Sequence, residues 1–98
     1  MNSMESVIGT WGSAAPGQPQ LRFVEDGRVS GTDGCNRLAG KWTLENEVVI
    51  FQQMISTMMY CEGVGTWLSG AASARVHGNA LHVYDRARLE IGTLVRES

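Results

Sequence analysis

Four side chains able to ligate a metal or attack a substrate stand out in this 98-residue chain: Cys35, Cys61, His77 and His82. A cysteine nucleophile needs a base, usually histidine, and a third group to orient that base. His82 alternates with Leu81 and Val83 and His77 flanks a turn, so nothing in the spacing brings either ring to a thiol. Zinc would take four such ligands, commonly with two arriving as a close Cys-x2-Cys pair. Here the cysteines are far apart and the histidines five residues apart, so neither catalysis nor a structural zinc site is the preferred reading. The acidic groups Glu25-Asp26 and Glu45/Glu47 fall at turn signals, where carboxylates are normally solvated. No glycine motif precedes a helix in the manner of a phosphate cradle. Cys35 itself, in Gly31-Thr-Asp-Gly-Cys-Asn-Arg-Leu-Ala-Gly-Lys-Trp42, is open to four readings: nucleophile, ligand, half of a disulfide, or packed residue at a tight turn.

The length and composition set the frame for these residues. Ninety-eight residues make one domain, read as 1–98, with 43% apolar and 18% charged residues. A net charge of −2 argues against a duplex nucleic acid as partner, since such surfaces carry a marked basic excess. Arg22, Arg28, Arg37 and Lys41 gather in the first half and read as a solvated face. No apolar run approaches the ~20 residues of a transmembrane helix, and Met1-Asn-Ser-Met-Glu-Ser-Val lacks the pattern of a signal peptide. The expectation is a cytoplasmic protein as the chain stands, or an exported one if a preceding segment was removed. Two cysteines could form one bridge but are no disulfide framework.

The elements that must position these groups are short. Turn signals recur at Pro16-Gly17, Asp26-Gly27, Asp33-Gly34, Glu45-Asn46, Gly78-Asn79 and Asp85-Arg86. Between them, Leu21/Phe23 alternate with Gln20, Arg22 and Val24, Leu81/Val83 with His82 and Tyr84, and Leu89/Ile91 with Glu90, the period of a half-buried strand. Asp26-Gly27 predicts a two-residue hairpin link ahead of Val29. Val48-Val-Ile-Phe51 predicts a strand buried on both faces. One stretch differs: Val64, Trp67, Leu68, Ala71 and Ala72 share one face of a helix around residues 62–72, which Gly63, Gly65 and Gly70 should keep short. The expected class is mainly β (α+β): an antiparallel, partly open barrel of short strands with one short helix packed against it. Met54, Met58 and Met59 could line an adaptable binding surface, but core packing beside Phe51 and Ile55 is the preferred reading.

Two motifs carry a resemblance. Asp33-Gly-Cys-Asn-Arg-Leu-Ala-Gly-Lys-Trp42 resembles the Gly-Cys-Asn-x-x-x-Gly-x-aromatic motif of the META domain, the HslJ-like group. Ser56-Thr-Met-Met-Tyr-Cys61 resembles its second signature, a threonine and methionine shortly before a cysteine. Gly9-Thr-Trp11, the stretch 21–31 and the stretch 78–85 match the family's opening strand, first hairpin and last hairpin. The structural signature carried over is Gly34, Cys35, Asn36, Gly40, Thr57, Met59 and Cys61. The chain departs from the pattern in a shorter stretch between Cys61 and Trp67, in Met58 where a basic residue is common, and in showing no lipoprotein signal.

The resemblance implies a small barrel with a packed helix, no defining enzymatic activity and no cofactor. Known members include a heat-shock-linked bacterial envelope lipoprotein associated with antibiotic tolerance and a trypanosomatid protein linked to virulence. The function expected on that basis is a non-enzymatic binding protein associated with envelope stress or secretion, meeting another protein through a strand edge. Two alternatives stand beside it. One is a carrier or sensor of a small apolar ligand, with Trp11, Trp42, Trp67 and the methionines around a cavity; the other is a thiol redox switch. Asn36 and Thr57 are expected to satisfy backbone groups where the sheet curls. The two motifs are expected to meet in space, leaving Cys35 and Cys61 either bridged or packed as neighbours.

Overall fold

A computed structural model describes residues 4–97; residues 1–3 and 98, the ends of the domain read as 1–98 and part of the segment tested for a signal peptide, lie outside the described residues. After a four-residue helix, α1 (Met4–Val7), eight strands follow: β1 (Gly9–Gly12), β2 (Gln20–Phe23), β3 (Arg28–Thr32), β4 (Arg37–Glu45), β5 (Val48–Ser56), β6 (Ser73–His77), β7 (Ala80–Tyr84) and β8 (Glu90–Val95). Each pairs antiparallel with the next, so the sheet order is the chain order. The sheet curls into a nearly closed barrel whose one seam lies between β1 and β8, as the sequence pattern implied. No helix among the described residues is long and apolar enough to cross a membrane.

Alternation decides which side chains fill the barrel. Leu21, Phe23, Val29, Leu38, Trp42, Val49, Phe51, Ala74, Val76, Leu81, Val83 and Leu94 point inward and are buried. The Phe23 and Trp42 rings meet edge to face at 5.5 Å, and the indole N–H of Trp42 donates to Val24 O at 3.0 Å, so the ring's polar edge is satisfied inside. The Val48–Phe51 run is not buried on both faces: Val49 and Phe51 face the core, while Val48 and Ile50 are half-buried on the other side. The first hairpin is also longer than two residues. Its loop is Val24–Gly27, closed by Val24 N–H to Arg28 O (2.9 Å), with Gly27 supplying a φ of +94°. Leu89 is exposed and precedes β8, whose pairing with β7 shifts register at Val83/Tyr84.

Of the helix expected around residues 62–72, one 3₁₀ turn forms, Trp67–Gly70. The physical reasons lie at both ends. Gly63 takes a φ of +77°, outside helical space. Ala71 is extended, and Ala72 is already committed to the sheet, accepting from Phe51 N–H (3.1 Å) and donating to Tyr84 O (2.9 Å). The turn nevertheless buries Leu68 and lays the Trp67 ring on Gly92, where an added Cβ would come within 2.5 Å of the ring.

The seam is held largely by Arg96. It makes the β-bridge to Trp11, and its guanidinium lies 4.2 Å from the centre of the Trp11 ring. The same group donates to Ile8 O (3.1 Å) and Ser6 O, tying α1 to the end of β8. Glu97 N–H donates to Thr10 O at 2.9 Å just beyond. Arg96→Ala removes a cation–π contact and two charge-assisted hydrogen bonds, and is expected to lower stability by about 2–3 kcal/mol. Urea denaturation measures the loss, and faster hydrogen exchange at Trp11 would locate it at the seam.

Candidate functional site

The connection from β3 to β4 and the stretch after β5 form one corner of the barrel. Thr32 ends β3, and residues 33–36 bend sharply before Arg37 opens β4. Asp33 is fully buried, and its Oδ1 accepts from the backbone N–H groups of Cys35 (2.9 Å) and Asn36 (2.6 Å). A short side chain bonding backbone two and three residues on is what lets Asx residues shape such turns. Asp33 Oδ2 has no hydrogen-bond partner among the described residues. Gly34 takes a φ of +103°, and a Cβ there would lie 2.7 Å from Gly17 O and 3.0 Å from Val64. Only glycine fits, because the 13–19 loop and Val64 close over it.

Asn36 is the clamp of this corner. It is buried, its Nδ2 donates to Met59 O (3.2 Å), and its Oδ1 accepts from Met59 N–H (2.5 Å) and the Thr57 hydroxyl (3.1 Å). The Thr57 hydroxyl oxygen in turn accepts from Arg37 N–H at 3.0 Å. One side-chain amide thus replaces a missing ladder where the backbone leaves the sheet. Cys35 and Cys61 are joined by a disulfide with Cα atoms 5.8 Å apart. Six of the signature residues, Gly34, Cys35, Asn36, Thr57, Met59 and Cys61, therefore meet here. Gly40 sits apart, at a bulge where Gln53 and Met54 face it from β5; a Cβ on Gly40 would lie 2.5 Å from Met54 Sδ. Asp33, a turn former by its sequence context, gains this further role, and its position two and three residues before Cys35 and Asn36 is the sequence signal for it.

The segment pinned by this corner overturns the core reading of the methionines. Ile55 is 70% exposed, Met58 94%, Met59 57% and Tyr60 89%; only Met54 packs against the core. The reason is geometric. β5 pairs with β6 only at Val49↔Ala74 and Ile50↔Ser73, so from Gln52 onward β4 alone flanks it among the described strands. Beyond Ser56 the chain leaves the sheet, and Met58, Met59 and Tyr60 stand exposed.

The remaining candidates lie elsewhere. His77 and His82 stand on β6 and β7 with rings 6.4 Å apart, and His82 Nδ1 is 3.3 Å from Glu90. Among the described residues no three His, Cys, Asp or Glu side chains form a group able to hold a metal. Trp11 is buried with its N–H on Val7 O (2.9 Å), Trp42 packs on Phe23, and Trp67 covers Gly92. Asp26 and Arg28 pair at 2.7 Å, and the backbone N–H and guanidinium of Arg28 hold the Asp26 carboxyl below its ordinary value.

Comparison with curated proteins and with solved structures gives no match. The family comparison does: the model of the META domain matches residues 4–96, nearly the whole chain and both motifs of the corner. With the Gly-Cys-Asn turn, the Thr-x-Met-x-Cys return and the meander barrel in place, the chain belongs to the META domain family.

Proposed function

We propose that the protein is a non-enzymatic binding module, of the envelope-stress or secretion-associated kind the META resemblance suggests, and that it meets a partner protein through the Ile55–Tyr60 segment and the adjoining edge of β5. One observation carries this reading. Of the six large hydrophobic side chains exposed among the described residues, four belong to this single six-residue stretch. Single exposed apolar residues are ordinary, but a contiguous group marks a contact surface. The segment is also held rather than loose, by the disulfide at one end and Asn36 in the middle. Holding an apolar segment in place beside an open strand edge lowers the entropy cost of docking a partner there.

A photoreactive phenylalanine analogue placed at Met58 tests the reading directly, with the same group at Thr93 on β8 as control. In cells of the source organism, Met58 is expected to yield a discrete protein adduct that Thr93 does not. Equal or absent adducts at both positions would remove the proposal.

A further inference from the structure

The registers of β2, β3 and β4 bring Arg22, Arg37 and Lys41 onto one outer face. Outward side chains form a row Arg22–Ser30–Ala39–Ile55 across four strands. Arg37 and Lys41 flank Ala39 on β4, two residues away on either side and on the same face. Strand geometry puts these two about 13 Å apart, with Arg22 about 10 Å from Ala39 across two strand spacings. Arg28 is already engaged by Asp26, but none of Arg22, Arg37 and Lys41 has a carboxylate within ion-pair distance among the described residues. Between these cations the floor is low, because Ser30 and Ala39 are small. Beside Arg37 lies a shallow cleft of about 210 Å³ lined by Leu38, Ala39, Ile55, Ser56 and Thr57. That is room for one side chain, below the ~300–1,000 Å³ typical of small-molecule sites.

We infer that this face takes an extended acidic segment of a partner polypeptide, acidic at positions i and i+4 and apolar at i+2. In a strand, i and i+4 point the same way about 13 Å apart, matching Arg37 and Lys41, while i+2 falls over Ala39 beside Ile55. Charge complementarity selects the sign of the partner. The overall charge of −2 selects its size: a short peptide feels this face alone, whereas an anionic bilayer or duplex also meets the ten acidic residues of the chain. The inference rests on the binding reading above and names the partner's chemistry, since Ile55 belongs to both surfaces.

Titration of the isotopically labelled full chain with the capped pentapeptide Glu-Ser-Leu-Ser-Glu provides the test. The expected result is salt-sensitive chemical-shift change centred on Ser30, Ala39 and Ile55. Arg37→Glu and Lys41→Glu, both on exposed side chains, should each weaken it by roughly tenfold while leaving the spectrum otherwise folded. Moving both glutamates next to each other, or replacing them with lysines, should abolish it. Equal binding of the lysine peptide, indifference to both charge reversals, or binding to phosphatidylserine vesicles in place of the peptide would overturn the inference. Loss of the peptide response with Met58 adducts retained would reject the acidic partner alone. A peptide response without Met58 adducts would reject the Ile55–Tyr60 surface and keep the acidic site.

Discussion

Asn36→Ala is expected to lower the unfolding free energy by about 2–3 kcal/mol, a large change for a side chain that contributes through hydrogen bonds alone. Three hydrogen bonds go with the amide: those to Met59 O, from Met59 N–H and from the Thr57 hydroxyl. Net gain per bond is near 1 kcal/mol, and partners left partly buried without a replacement add to the loss. Thr57→Val, which removes only the hydroxyl between Asn36 and Arg37 N–H, should cost about 1 kcal/mol. Urea denaturation orders the two. An Asn36→Ala variant as stable as the parent would mean that the clamp contributes nothing and water replaces it freely.

Removing the bridge by Cys35→Ala with Cys61→Ala should cost about 3.5 kcal/mol, the chain-entropy value for a closed loop of about 27 residues. Its physical origin differs from that of Asn36. The disulfide acts mainly by restricting the unfolded chain, while the amide acts on the native corner. Hydrogen exchange at Met59 separates them: its N–H, held by Asn36 Oδ1, should stay protected in the double cysteine variant and lose protection in Asn36→Ala with the bridge intact. Dithiothreitol should destabilise the parent by the same amount and leave the cysteine-free variant unchanged. If reduction instead freed Met59 as well, the segment would respond to redox state as a unit, which is what the thiol-switch alternative requires.

The strands were legible because each is short, alternating and bounded by turn residues, so that Leu21/Phe23 and Leu81/Val83 announce their inward faces. The corner was legible only through resemblance: no local pattern says that Asn36 will meet Met59, since that contact depends on where two strand ends arrive. Periodicity misread residues 62–72 because a helical face is a statement about side chains, whereas Ala71 and Ala72 answer to hydrogen bonds in the sheet. Ile55, Met58 and Met59 were placed inside by composition, which carries no information about where a strand loses its second neighbour. The cationic face failed for a related reason. Arg22, Arg37 and Lys41 are scattered in sequence and become neighbours only once the registers Arg22↔Ser30 and Ser30↔Ala39 are known.

The order of the sheet also sets an order of assembly. Because every strand pairs with its neighbour in sequence, most hairpins close over short loops at small entropic cost, the exception being β5 to β6, which residues 57–72 separate. The seam is of another kind: Arg96 meets Trp11 across 85 residues and Ser6 across 90. Its entropic cost grows only with the logarithm of loop length, and it falls further once the intervening strands have curled and brought the ends together. Barrel closure is then expected last, after the local hairpins have formed.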